Sequence, residues 1–254
     1  MRILNNINII YSDIKNTYQN QYHQCIKILN GFLIILSIRF LIIGLNNLFV
    51  NSQTSLQYII FYLATSLLMI GLEVGMIKLL FNLIDQKIKS ASEIFNYFYM
   101  LKKYFLGLML FYCIIGIALL PGLVYIIIKS DYEIFQIIQN SIDDIYFQQL
   151  ISSYFNQYDF FIIALLLFIP TIYALIRLCF WNYCLIDSNI SGWYAILKSF
   201  QITKNKELEI IVYFFIFLIL NLIGILTIFG MLFTIPTTYL FFAKYYRLLN
   251  HDFK

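Results

Sequence analysis

The sequence predicts an all-α, polytopic integral membrane protein that crosses the bilayer six times. Two observations carry the prediction. Six apolar runs, 28–50, 57–81, 104–128, 160–186, 208–227 and 230–249, meet or approach the roughly 20 residues that a spanning helix needs. The basic residues between the runs are also unevenly placed. With the N-terminus in the cytoplasm, one face collects Arg2, Lys15, Lys27, Lys87, Lys89, Lys102, Lys103, Lys198, Lys204, Lys206, Arg247 and Lys254, and the other only Lys129. That asymmetry is the positive-inside signature and puts both termini in the cytoplasm. Composition agrees: 61% of residues are hydrophobic, 12% are charged and mean hydropathy is +0.80, far from a soluble globular domain. The net charge of +4 comes from the cytoplasmic loops, where lysines attract anionic headgroups, and no basic face suits nucleic acid.

Residues 1–27 are polar and lack the apolar core of a cleaved signal peptide, so run 28–50 is expected to act as an uncleaved signal-anchor. Within 3–22, Ile3, Ile7, Ile10, Ile14 and Tyr18 recur at three- and four-residue steps. Such a stripe marks an amphipathic helix lying on the cytoplasmic leaflet. The connection at 51–56 is short, so spans one and two form an antiparallel hairpin. After span two, Ser90 and Glu93 have the spacing of a capping box ahead of Ile94, Phe95, Tyr97, Phe98 and Leu101, which predicts a second cytoplasmic amphipathic helix.

Span three carries Pro121-Gly122. The long exterior segment 129–159 is acidic, and its apolar positions predict short surface helices. A third cytoplasmic amphipathic helix starts near Ser191 and includes Trp193, suited to an interface because its ring is apolar and its N–H seeks water. Spans five and six, joined near Gly230, form another hairpin.

The chain repeats itself. Leu83-Ile84-Asp85 recurs as Leu185-Ile186-Asp187, and at the same offset Ile94, Phe98 and Lys102 match Ile196, Phe200 and Lys204. Ile115-Gly116-Ile117 matches Ile223-Gly224-Ile225 after a short insertion, and 3–81 fits a diverged first copy. Copies running the same way through the membrane are parallel repeats, unlike the inverted repeats of many secondary transporters.

Four polar residues fall at span depth: Arg39, Glu73, Arg177 and Asn221. A charge at the helix centre costs about 2.5–3.5 kcal/mol on insertion scales, so each calls for a partner. Arg39, Glu73 and Arg177 reach similar depths, and Arg39 can face Glu73 across the first hairpin. Two readings stand: an intramembrane polar site or ion path, or a buried pair that sets helix register. Pro121, Pro170 and Pro236 interrupt apolar runs and either kink helices or open carbonyls toward a cavity. Cys25, Cys113, Cys179 and Cys184 contain no C-x-x-C pair, and His23 and His251 have no ligand partners at metal spacing, so neither metal nor cofactor is expected. The sequence has no phosphate loop, dinucleotide fingerprint, nucleophile elbow or zinc-protease motif, so an enzyme is not expected either.

The run Ile10-Tyr11-Ser12-Asp13 with Asn16 and Asn20-Gln21-Tyr22, then Pro121-Gly122, Leu185-Ile186-Asp187, Ala195 to Phe200 and Thr203, resembles the YciC-type proteins of Gram-negative inner membranes, an uncharacterised group. Its second half is similar to the membrane domain attached to some glycerophosphodiester phosphodiesterases. The resemblance implies an all-helical inner-membrane fold. It implies no phosphodiesterase activity, because the catalytic domain is absent here. The expected function is a non-enzymatic scaffold or accessory subunit that contacts lipid and other membrane proteins or itself. The alternative is a small-solute or ion transporter or channel using the layer of Arg39, Glu73, Arg177 and Asn221.

Overall fold

A computed structural model describes residues 2–49, 55–130, 154–227 and 230–252, and among these residues the fold is helical with no strand. In order come α1 (Arg2–Asn20), α2 (Tyr22–Phe49), α3 (Ser55–Ile84), a 3-10 helix (Ala91–Met100), α4 (Leu101–Lys129), α5 (Gln157–Leu178), α6 (Trp181–Ser188), α7 (Gly192–Ile202), α8 (Glu207–Leu226) and α9 (Met231–Asp252). They divide into two compact units, Met1–Leu108 with Phe180–Lys254, and Met109–Cys179. The expected surface helices between 131 and 150 lie outside the described residues.

Five stretches are long and apolar enough to cross a membrane: Tyr22–Asn46, Gln57–Ile84, Ala91–Lys129, Gln157–Ser188 and Glu207–Leu226. They cover the first five predicted runs. The sixth run falls in α9, a 22-residue helix of spanning length that is less apolar because its second half carries Lys244, Arg247 and tyrosines. Those tyrosines are core. Tyr245 and Tyr246 are fully buried, and their rings join Phe81, Phe180, Tyr183 and Tyr213. Tyr213 meets Tyr245 edge-on at 4.8 Å, a geometry worth about 0.5–1.5 kcal/mol beyond area burial.

The N-terminal stripe faces protein. Ile10 and Ile14 are buried, and α1 packs on α2 and α9. Only Gln21 separates α1 from α2, and the Gln21 carbonyl accepts from the Cys25 amide, so the turn is tight. Tyr18 bonds Thr237 of α9 at 3.0 Å. Burial raises the pKa of this phenol and keeps it protonated.

The segment after α3 is not laid across the end of that helix. It turns back and runs antiparallel along it. Ile94 packs where Gly75 leaves no side chain, and a methyl at Gly75 would collide with the Ile94 backbone. The segment is 3-10 rather than α because its apolar period is three: Ile94 and Met100 are buried, and Tyr97 between them accepts a hydrogen bond from Asn82. The expected capping box forms: the Ser90 side chain meets the Glu93 amide and Glu93 accepts from the Ser90 amide at 3.3 Å, and the Ser90 hydroxyl also bonds Ser92. At the start of α7, Gly192 similarly meets Gly107 of α4 backbone to backbone.

In the second unit α4 and α5 run on through Pro121 and Pro170. Asn156 and Asp159 cap α5 reciprocally at 2.9 and 3.0 Å. Asp159, 4% exposed, also accepts from Tyr125 at 2.7 Å and pairs with Lys129 at 3.4 Å, which ties the end of α4 to the start of α5.

Candidate functional site

The four intramembrane residues of the sequence reading fall in three places. Arg39 of α2 and Glu73 of α3 line one cavity of about 310 Å³, with Tyr239 of α9 on the same wall. Both charged side chains are exposed, and among the described residues no ion pair joins them. Glu73 instead lies within electrostatic reach of the hydroxyl of Tyr104, a buried ring that is also near Asn182 and packs on Trp181 at 5.0 Å. Tyr239 is within electrostatic reach of both Arg39 and Glu73. The cavity therefore has one cation, one anion and a phenol on an apolar wall that includes Phe32, Ile35 and Met69.

Asn221 is used elsewhere. Its amide nitrogen lies 3.1 Å from the Thr238 hydroxyl and links α8 to α9. Arg177 belongs to the second unit, where it is buried with its guanidinium 5.9 Å above the Tyr173 ring. The structure thus brings Arg39 and Glu73 to a common space and gives Asn221 a partner of its own.

A denser polar cluster forms where α3, α6 and α9 end together. Arg247 of α9 places Nη2 2.7 Å from Asp187 and 3.5 Å from Asp85, with its guanidinium 5.0 Å above the Phe81 ring. Tyr246 donates to Asp187 at 3.3 Å. Charge-assisted bonds of this kind contribute about 1.5–3 kcal/mol each when partly buried. The backbone reaches the two aspartates by similar routes, since α3 ends before Gln86 (φ 59°) and α6 before Asn189 (φ 50°), both left-handed. Close by, Glu209 of α8 is buried, accepts from Asn6 of α1 and from Tyr213, and lies 3.6 Å from Lys206. Sequence reasoning counted Arg247 among the cytoplasmic cations but gave it no partner, and assigned no role to Lys244 or Glu209. A signal was present: the recurring Leu-Ile-Asp flags two carboxylates without naming the cation they share.

Lys244 sits one turn before Arg247. Its ammonium donates to the Asp13 carbonyl at 2.8 Å and to the Thr17 hydroxyl at 2.7 Å, fixing α1 against α9. Polar residues that line cavities near it are Asn16, Gln21 and Gln86 on one side, and His251 on the other. Among the described residues no group of three or more His, Cys, Asp or Glu could hold a metal ion. Cys184 is fully buried, and Cys113 is exposed. No family model matches this chain, and neither a curated protein nor a solved structure matches it.

Proposed function

We propose that the chain is a non-enzymatic, six-span bacterial inner-membrane protein, both termini cytoplasmic, that serves as a scaffold or accessory subunit in the manner of the YciC-type proteins its sequence resembles. One observation carries the reading. In the first unit polar groups gather where α3, α6 and α9 end and are tied to one another, while the helix flanks are apolar and uncovered. Within the stretches that begin at Tyr22 and Ala91, only 11% and 6% of an apolar run of 18 residues are buried. Flanks of that kind need lipid or other membrane helices around them.

The parity of the crossings supports six spans. Asp85 follows the second crossing, Asp187 follows the fourth, and Arg247 lies near the end of α9. They meet at one end, as they must if α9 returns through the bilayer. Its 22 residues rise about 33 Å at 1.5 Å each, enough for the hydrocarbon core.

A second reading rests on the Arg39–Glu73 cavity. Charged side chains at membrane depth that face a cavity are a feature of solute and ion pathways, and this reading makes the protein a transporter or channel. Purification in mild detergent at native expression separates the two. A protein partner at fixed stoichiometry supports the accessory role. Solute flux in proteoliposomes that is lost in an Arg39→Leu/Glu73→Leu variant overturns it in favour of transport.

A further inference from the structure

Two cavities lie one above the other along the same three segments. The apolar one, about 240 Å³, is walled by Tyr18 and Cys25 near the α1–α2 turn, Leu80 and Leu83 of α3, and Pro236 and Leu240 of α9. The polar one, about 420 Å³, is walled by the next residues of each: Asn16, Thr17 and Gln21, then Ile84 and Gln86, then Lys244. Each segment changes from apolar to polar at the same level, toward the end that carries Asp85 and Asp187. An amphiphile matches that sequence of surfaces, with acyl chain below and headgroup above.

The polar chamber also specifies its headgroup. Lys244 uses two of three ammonium donors on Asp13 and Thr17, which leaves one for a phosphate oxygen. The side-chain oxygen of Gln21 is buried without a hydrogen-bond partner, and no described residue donates to the Asp13 carboxylate, which also lines the chamber. A buried acceptor left unpaired costs about 1–3 kcal/mol, so the Gln21 oxygen favours a ligand that brings N–H donors, and the exposed Asp13 carboxylate adds a negative charge that complements a cation. Arg247, the next cation on α9, is already held by Asp85 and Asp187, so the chamber has one positive and one negative group of its own. We propose that these cavities form a specific site for one phospholipid with a zwitterionic, primary-ammonium headgroup, its phosphate on Lys244 and its ammonium on Asp13 and Gln21. A choline headgroup lacks the N–H donors, and a glycerol headgroup lacks the cation that complements Asp13.

The inference rests on the membrane reading but not on the scaffold role. The test uses the full chain in detergent, titrated in native mass spectrometry with ethanolamine, choline and glycerol phospholipids of identical acyl chains. The expected result is one retained ethanolamine lipid, bound about tenfold more tightly than the other two, a difference of about 1.4 kcal/mol. Asp13→Asn and Gln21→Leu should each erode that preference, Lys244→Gln should weaken phosphate binding for all three lipids, and Leu240→Trp should exclude every lipid by filling the apolar chamber. Lys244→Arg guards against misfolding and should retain binding. Equal retention of the three lipids, a preference for the glycerol lipid, or a preference indifferent to Asp13→Asn and Gln21→Leu overturns the site. Extraction of the chain from membranes by alkaline carbonate would instead overturn the membrane reading, so the two failures are distinguishable.

Discussion

Arg247 and Asp187 lie 2.7 Å apart, across helices that are 60 residues distant in sequence, and the same guanidinium reaches Asp85 at 3.5 Å. One cation near the C-terminus thus joins the two carboxylates of the recurring Leu-Ile-Asp. Phe81 and Tyr183, each two residues ahead of one of those Leu-Ile-Asp runs, also meet edge-on at 6.0 Å.

Removing Asp187 should therefore cost more than removing Asp85. Asp187 is less exposed and also accepts from Tyr246, whereas Asp85 is more open to solvent. Asp187→Asn is expected to destabilise the protein by about 1–3 kcal/mol and Asp85→Asn by less than about 1 kcal/mol after solvent screening. Thermal unfolding in detergent measures both, and equal losses would contradict the assignment.

Gly75→Ala and Gly44→Ala make an opposed pair. A methyl at Gly75 meets the Ile94 backbone and must displace the 3-10 segment, at a typical overpacking cost of about 1–3 kcal/mol. Gly44 has nothing within 4 Å, so its substitution should be neutral or favourable by up to about 1 kcal/mol through helix propensity. Protease sensitivity near Ser90 should rise for the first variant and stay unchanged for the second.

The Asn221–Thr238 bond should show modest coupling. Intramembrane hydrogen bonds average about 0.6 kcal/mol in double-mutant cycles and reach about 1.7. An Asn221→Ala/Thr238→Ala cycle, read by unfolding in bicelles, is expected within that range. Zero coupling would show that the two side chains do not pair.

Threading has a direct readout. Single cysteines at Ser92 and Asn205 should react with impermeant thiol reagents only from the cytoplasmic side, and reporters placed in 131–158 only from the exterior. Labelling Ser92 from the exterior would overturn the six-span arrangement.

Replacing Arg39 and Glu73 together by leucine should leave insertion and folding intact, because no ion pair within the described structure depends on them. Membrane fractionation and size-exclusion profiles like those of the parent chain are the expected outcome. Collapse of the protein would assign the two charges to the fold itself.

The spanning runs were legible because long apolar stretches and uneven lysines act locally, through transfer into lipid and surface charge, and neither depends on which helix packs beside which. The Ile10–Ile14 stripe was legible as a helix face for the same reason. Whether that face meets lipid or protein was not, since an apolar stripe suits both, and here α9 covers it. The turn of 91–100 back along α3 was hidden because it depends on the fit of Ile94 at Gly75, a relation between segments that no local pattern encodes. Glu73 could be picked out as an ionisable group at span depth. Its nearness to Tyr104 and the cavity it shares with Arg39 follow from side-chain reach in three dimensions. Apolar length set the membrane-capable helices from the residues alone. The joining of Arg247 to Asp85 and Asp187, and the stacking of polar over apolar chambers beside Lys244, were set by tertiary packing, because such contacts depend on the register between helices distant in the chain.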